Sequence, residues 1–127
     1  MDDKRAIVVG VDGSAAAMRA VRWAAREASL RDVPLRLLTA RALPRPNRFE
    51  AMLAPDARHA LLDQARETLR EAEQEALAVA PNLHVDHDLQ VTAAAPALIT
   101  ASHQAQLVVV GSSGLGGVAG LFIGSVA

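Results

Sequence analysis

Two runs of residues limit what this chain can fold into more than any other feature. Ala6-Ile7-Val8-Val9-Gly10-Val11 near the start and Leu107-Val108-Val109-Val110 near the end are wholly apolar and rich in β-branched side chains. A strand with one wet face alternates polar and apolar residues. A run without alternation belongs to a strand covered on both faces, the kind that builds parallel sheets. Parallel neighbours need a long crossover, usually a helix, between them. The intervening sequence must therefore supply helices.

It does so at regular intervals. Asp12-Gly13-Ser14 ends the first run and can cap a helix. From Ala15 to about Arg31, Ala17, Ala20, Val21, Ala24 and Ala28 share one helical face. Trp23 lies at the margin of that stripe and reads as a packing anchor with a wet indole N–H. Asp32-Val33-Pro34 stops the helix, and Leu35 to Ala40 predicts a second strand. Arg41 to about Pro55, with prolines at 44, 46 and 55, predicts a long loop. Asp56 to about Ala80 predicts a long helix that buries Leu62, Ala65, Leu69, Ala72, Ala76 and Val79. Leu83 to Val91 alternates, with Val85, His87, Leu89 and Val91 on one side, and predicts a half-exposed edge strand. Ala94 to about His103 predicts a short helix with Pro96 in its first turn.

Strands that alternate with helices imply an α/β fold: an open parallel sheet with helices on both faces. If the fourth strand returns to the far side of the first, the strand order is 3-2-1-4. That order places the carboxyl ends of strands 1 and 4 side by side at a switch point, where such sheets bind ligands.

Length and composition narrow the class. At 127 residues the chain reads as a single domain over 1–127. Aromatics make up 2% of it, so the core must come from Ala, Val, Leu and Ile. The net charge is −1, with acids and bases interspersed, and no basic block or aromatic platform points to nucleic acid. There is no cysteine, hence no thiol chemistry or thiolate metal site. No apolar run approaches the ~18 residues of a membrane span, and the run after the charged N-terminus is too short for a signal peptide. A cytoplasmic protein without membrane or nucleic-acid partners is the expectation.

Several polar groups invite a chemical reading. Glu67, Glu71 and Glu75 follow at i, i+4 spacing, but read as a solvated helix face because no histidine joins them. His84, Asp86 and Asp88 share a strand face, as alternate polar residues on an edge strand ordinarily do. His59 and His103 stand alone and read as surface groups.

The tail is more informative. The last apolar run stops at Gly111 and continues as a glycine-rich stretch through Gly114, Gly116, Gly117 and Gly120 to Gly124-Ser125-Val126. Glycines let backbone N–H groups approach an anion, and a Ser-capped helix start adds unpaired donors. A phosphate loop and a plain apolar connection both fit this composition. A Walker A loop is excluded, because no lysine follows a glycine. Gly114 to Ala119 matches G-x-G-x-x-[G/A], but it begins inside the loop and lacks the acid about 20 positions on. Asp12, at the end of the first strand, fits either a turn-forming acid or a ligand-binding one.

Written out, the loop is Gly111-x2-Gly114-x9-Gly124-Ser125, preceded by a Val11-Asp12 turn after the first strand. This resembles the nucleotide-binding signature G-x2-G-x9-G-[S/T] of the universal stress protein family. Ile7 to Ser14 and Ala20 to Ala24 resemble that family's opening strand, acidic turn and first helix. The resemblance implies a Rossmann-like sheet of the adenine nucleotide alpha hydrolase type. It implies an ATP-binding, stress-response regulatory domain, a nucleotide sensor or switch that works with Mg2+ or Mn2+. Carried over by position, Asp12 would lie near ribose and metal, and backbone at Thr39 and Ala40 would meet the adenine. Gly111, Gly114, Gly116, Gly117, Gly124, Ser125 and Val126 would hold phosphates, and Gly10 would allow close packing beneath the ligand.

Little or no hydrolysis is expected, since the sequence offers neither an evident base nor a P-loop lysine. The alternative is a protein-interaction or dimerisation module of the same fold. An adenylate-forming enzyme is a poorer match, because Val11-Asp12-Gly13-Ser14 lacks a Ser-Gly-Gly-x-Asp-Ser loop. Family members continue past the Gly-Ser pair into a helix and a fifth strand. With these missing after Ala127, the expectation is a C-terminally incomplete domain, or a homodimer or partner over the edge of strand 4.

Overall fold

A computed structural model describes residues 4–42 and 48–112, with backbone alone for 48–56. The elements run β1 (Ile7–Gly10), α1 (Ala15–Arg31), β2 (Leu35–Ala40), α2 (Arg48–Val79), β3 (Val85–Gln90), α3 (Ala94–Ser102) and β4 (Leu107–Val109). The four strands form one parallel sheet in the order β3-β2-β1-β4. This is the α/β arrangement with the 3-2-1-4 order that the alternation of elements implies. Ile7 sits between Leu35 and Leu107, and Val9 between Leu37 and Val109. The two apolar runs are thus neighbours in the sheet, β1 inside it and β4 at its described edge.

Side chains alternate across the sheet, and each face has its own core. Ile7, Val9, Leu35, Leu37 and Leu107 point toward α1 and α2, meeting Ala17, Val21, Ala24, Ala28, Leu69, Ala72 and Ala76. Val8, Leu38 and Val108 point the other way, toward Ala97 and Leu98 of α3 and Ala105. Alanine stripes on both long helices let their backbones lie close to the β-branched sheet. A core with almost no aromatic residues can close in that way.

Local signals explain where the elements stop. The Ser14 hydroxyl accepts from the Ala17 N–H at 3.1 Å and caps α1. At the other end, Asp32 takes a left-handed conformation, φ 56°, and its N–H caps the Ala28 and Ser29 carbonyls. β3 lies at the edge as its alternation predicts, although it ends at Gln90, and Val91 is exposed. Trp23 is half exposed on α1.

One expectation is corrected. The loop predicted from Arg41 to Pro55 is shorter, because α2 begins at Arg48 and runs through Pro55. A proline inside a helix costs about 3 kcal/mol. The residues before it, Glu50-Ala51-Met52-Leu53-Ala54, include four of the strongest helix formers. Their propensity and the long helix behind them outweigh the proline that sequence reading takes as a boundary. Among the described residues, no helix is long and apolar enough to cross a membrane.

Candidate functional site

The topology creates a crevice. Crossovers through α1 and α2 build β2 and β3 outward on one side of β1. The crossover through α3, on the opposite face, returns to place β4 on the other side. The helix that follows β1 and the helix that precedes β4 lie on opposite faces of the sheet, and a gap opens above the carboxyl ends of the two strands. Gly10, Asp12, Ala40, Arg41, Leu98 and Gly111 are among the residues that line it. The concavity among the described residues is about 60 Å³. It opens to solvent, so these residues form one wall of an open cleft rather than a closed pocket.

Asp12 is the distinctive group. Its Oδ1 accepts from the Ser14 N–H at 2.9 Å, an Asx turn that leads into α1. Its Oδ2 is shut off from solvent and has no hydrogen-bond partner among the described residues. A buried carboxylate oxygen left unpaired costs free energy, about 1–3 kcal/mol or more for a charged group. Such an atom marks a position where something else can bind. The turn-forming reading of this acid is seen on Oδ1, and Oδ2 is left without a described partner.

Glycine is required at two nearby positions. A Cβ on Gly111 would lie 2.8 Å from the Ala16 carbonyl carbon and 2.9 Å from the Ala17 nitrogen. Backbone cannot yield as a side chain can. The end of β4 therefore rests directly on the first turn of α1, beside the Asp12 turn. Gly13 carries φ +86°, a conformation that other residues rarely adopt, and it turns the chain from Asp12 to the Ser14 cap. Gly10 is less constrained, since its nearest would-be neighbours are side chains of Leu98 at 3.3 Å and Val110 at 3.4 Å.

Of the residues singled out from sequence, Gly10, Asp12, Ala40 and Gly111 line the cleft together. Thr39 does not line it. It is buried, and its hydroxyl donates to the Val11 carbonyl at 2.7 Å, tying the end of β2 to the end of β1. Gly114, Gly116, Gly117, Gly124, Ser125 and Val126 lie outside the described residues.

Sequence reading missed Arg41. Its Nη1 donates to Thr39 Oγ1 at 2.9 Å and to the Ala40 carbonyl at 3.1 Å. Among the described lining residues it carries the one positive charge and Asp12 the one negative charge. A basic residue just after an apolar strand reads as the start of a loop. The available signal was its place at a strand's carboxyl end, where residues face the crevice. Ala94 and Leu98 of α3 were missed because they look like ordinary helix positions.

The described residues hold no cluster of three or more His, Cys, Asp or Glu that could bind a metal. His84 contacts Asp86 at 3.1 Å, and His87 lies 3.4 Å from Glu73. On the exposed face of α2, Glu67 pairs with Arg70, while Glu75 meets Arg22 of α1 at 2.7 Å. These are surface contacts between neighbouring side chains.

Known proteins share both the sequence and the geometry. Universal stress protein Rv2624c of Mycobacterium tuberculosis (strain ATCC 25618 / H37Rv) is 36% identical over 123 residues, covering 97% of this chain and 43% of that protein. The chain thus spans less than half the length of that relative. A crystal structure of a universal stress protein in complex with cAMP is 30% identical, with a TM-score of 0.66, and covers 91% of this chain and 78% of that one. The universal stress protein from Archaeoglobus fulgidus in complex with dAMP is 26% identical, with a TM-score of 0.60, and covers 87% and 82%. The Universal stress protein family matches residues 4–127, and the chain belongs to it.

Proposed function

We propose that the crevice between β1 and β4 binds an adenine nucleotide, ATP with Mg2+ or Mn2+, and that the domain is a stress-response regulator rather than an enzyme. The observation that carries this reading is the buried Oδ2 of Asp12, unpartnered among the described residues, in a cleft shared with a glycine that meets helix backbone. A single carboxylate with phosphate oxygens is an ordinary site for Mg2+, which keeps several of its waters and needs no protein cage. Asp12 Oδ2 would supply that carboxylate. The ion would in turn offset the charge of the acid beside the phosphates. Phosphates would lie toward Gly111 and the glycines after it, Gly114, Gly116, Gly117 and Gly124, with Ser125 and Val126 at the helix start. The apolar wall of Leu38, Ala40 and Leu98 would receive the base. Solved relatives with cAMP and dAMP support a nucleotide in this fold.

Regulation follows if the ligand prefers one arrangement of the cleft over another, since differential affinity is what shifts a population. Asp12, the one carboxylate among the described cleft residues, is assigned to the metal, and no histidine, glutamate or lysine there accompanies it to position a water, so little or no hydrolysis is expected.

Thermal melting with ATP and Mg2+ tests the reading. At a hundredfold excess over Kd the ligand should add about 2.7 kcal/mol. Asp12→Asn should remove the dependence of that shift on the metal. A melting curve unmoved by saturating ATP and Mg2+ would refute the nucleotide assignment. An interaction module is the second reading, favoured by β4, which among the described residues pairs with β1 alone. A dimer or a partner would then cover that edge.

A further inference from the structure

The outer face of α1 departs from an ordinary solvated helix face. Arg19, Trp23, Arg26 and Leu30 follow at i, i+4, i+7 and i+11, a spacing that lines them up in one stripe. The stripe lies opposite the buried line of Ala17, Val21, Ala24 and Ala28. Trp23 is half exposed and Leu30 largely so. Single exposed apolar residues are common on a surface. What sets this stripe apart is its charge.

α1 carries four arginines against one glutamate. Arg22 pairs with Glu75, and Arg31 with Glu27. Arg19 and Arg26, the two in the stripe, have no hydrogen bond or ion pair among the described residues. They stand one helical turn from Trp23, one on either side. Each guanidinium is a fork of donors that fits a carboxylate, carried on an apolar stem. Tryptophan and arginine are also the residue types that most often dominate interfaces.

Complementary charge decides the occupant. A second copy that laid the same stripe here would set arginine against arginine, which repels. A lipid surface needs a broad apolar face, and this stripe interleaves two apolar side chains with two charges. Carboxylates spaced around an apolar residue satisfy both kinds of group.

We propose that the outer face of α1 is a docking surface for an acidic protein segment. Its carboxylates pair with Arg19 and Arg26, and its apolar side chain packs on Trp23 and Leu30. The inference does not depend on what fills the cleft.

Trp23 is the chain's one tryptophan, so its fluorescence reports this surface. The probe is a tryptophan-free amphipathic peptide of about 18 residues, with glutamates around leucines at helical spacing. Its counterpart carries lysine in place of every glutamate. The glutamate peptide should shift the emission of the full chain to the blue, saturably, and less so as salt rises. The lysine peptide should leave it unchanged. In Arg19→Glu/Arg26→Glu the glutamate peptide should bind about tenfold more weakly. Circular dichroism should show that variant folded, since neither arginine has a described partner. Trp23→Ala, followed by calorimetry, should also weaken binding about tenfold or more. The proposal is overturned by an emission unmoved by the glutamate peptide, by equal binding of both peptides, or by unchanged affinity in the charge-reversed variant. A shift produced by phosphatidylglycerol vesicles and not by the peptide overturns it too, and makes the face a lipid contact. So does a sedimenting mass that halves in Trp23→Ala, which assigns the face to a second copy. Should the double variant fail to fold, the contrast between the two peptides in the wild type decides.

Discussion

At the scale of the residue, the cleft depends on groups that have no slack. Gly111 is one. Adding a methyl group there drives it into the Ala16–Ala17 backbone at 2.8–2.9 Å. Gly111→Ala should destabilise the fold by about 1–3 kcal/mol, the range for overpacking, read as a lowered urea midpoint. Gly10→Ala meets flexible ends of Leu98 and Val110 and should cost less. Thr39 is another. The residue is 1% exposed and its hydroxyl donates to the Val11 carbonyl, so Thr39→Val takes a donor from a buried acceptor. That should cost about 1–3 kcal/mol. It also removes one of the two anchors of Arg41. If Thr39→Val melts like the wild type, the tie between the ends of β1 and β2 carries no weight.

At the scale of the element, most boundaries follow from sequence chemistry. α1 is bracketed by a Ser cap and an Asp32-Val33-Pro34 stop, and both act as the residue types predict. Ser14→Ala should cost about 1 kcal/mol, measurable by chemical denaturation, because the Ala17 N–H loses its acceptor. β1 and β4 were legible because unbroken apolar runs have few alternatives in a chain of this composition. The start of α2 was not legible. Three prolines point to a loop, and helix propensity over residues 50–54 competes with them without leaving a periodic stripe. The candidate site was partly legible for a related reason. Asp12 and Gly111 stand out as polar or small residues ending apolar strands. Arg41 also ends a strand, but a charged residue at a loop entrance has too many ordinary uses to single it out. Thr39 was legible as a residue at the right place, but it is buried and does not line the cleft, its hydroxyl tying β2 to β1.

At the scale of the whole molecule, the two faces of the sheet are unequal. α1 and α2 cover one face and join through Arg22 and Glu75, while α3 is the described helix on the other. β4 leaves one edge without a described neighbour, and Trp23 and Leu30 of α1 are exposed, at 49% and 82%. Under the dimer reading, sedimentation velocity at micromolar concentration should give twice the 13.3 kDa chain mass, and a charge on β4, Val109→Lys, should return it to a monomer. A wild-type monomer at that concentration would remove self-association as the cover of this edge. The order β3-β2-β1-β4 also bears on how the protein is made. β1 is made before its partner β4, which follows roughly a hundred positions later, so closing that pair costs about 4 kcal/mol of chain entropy. The crevice has no second wall until then. Under the nucleotide reading, a nascent domain therefore gains competence in one late step, when β4 joins β1.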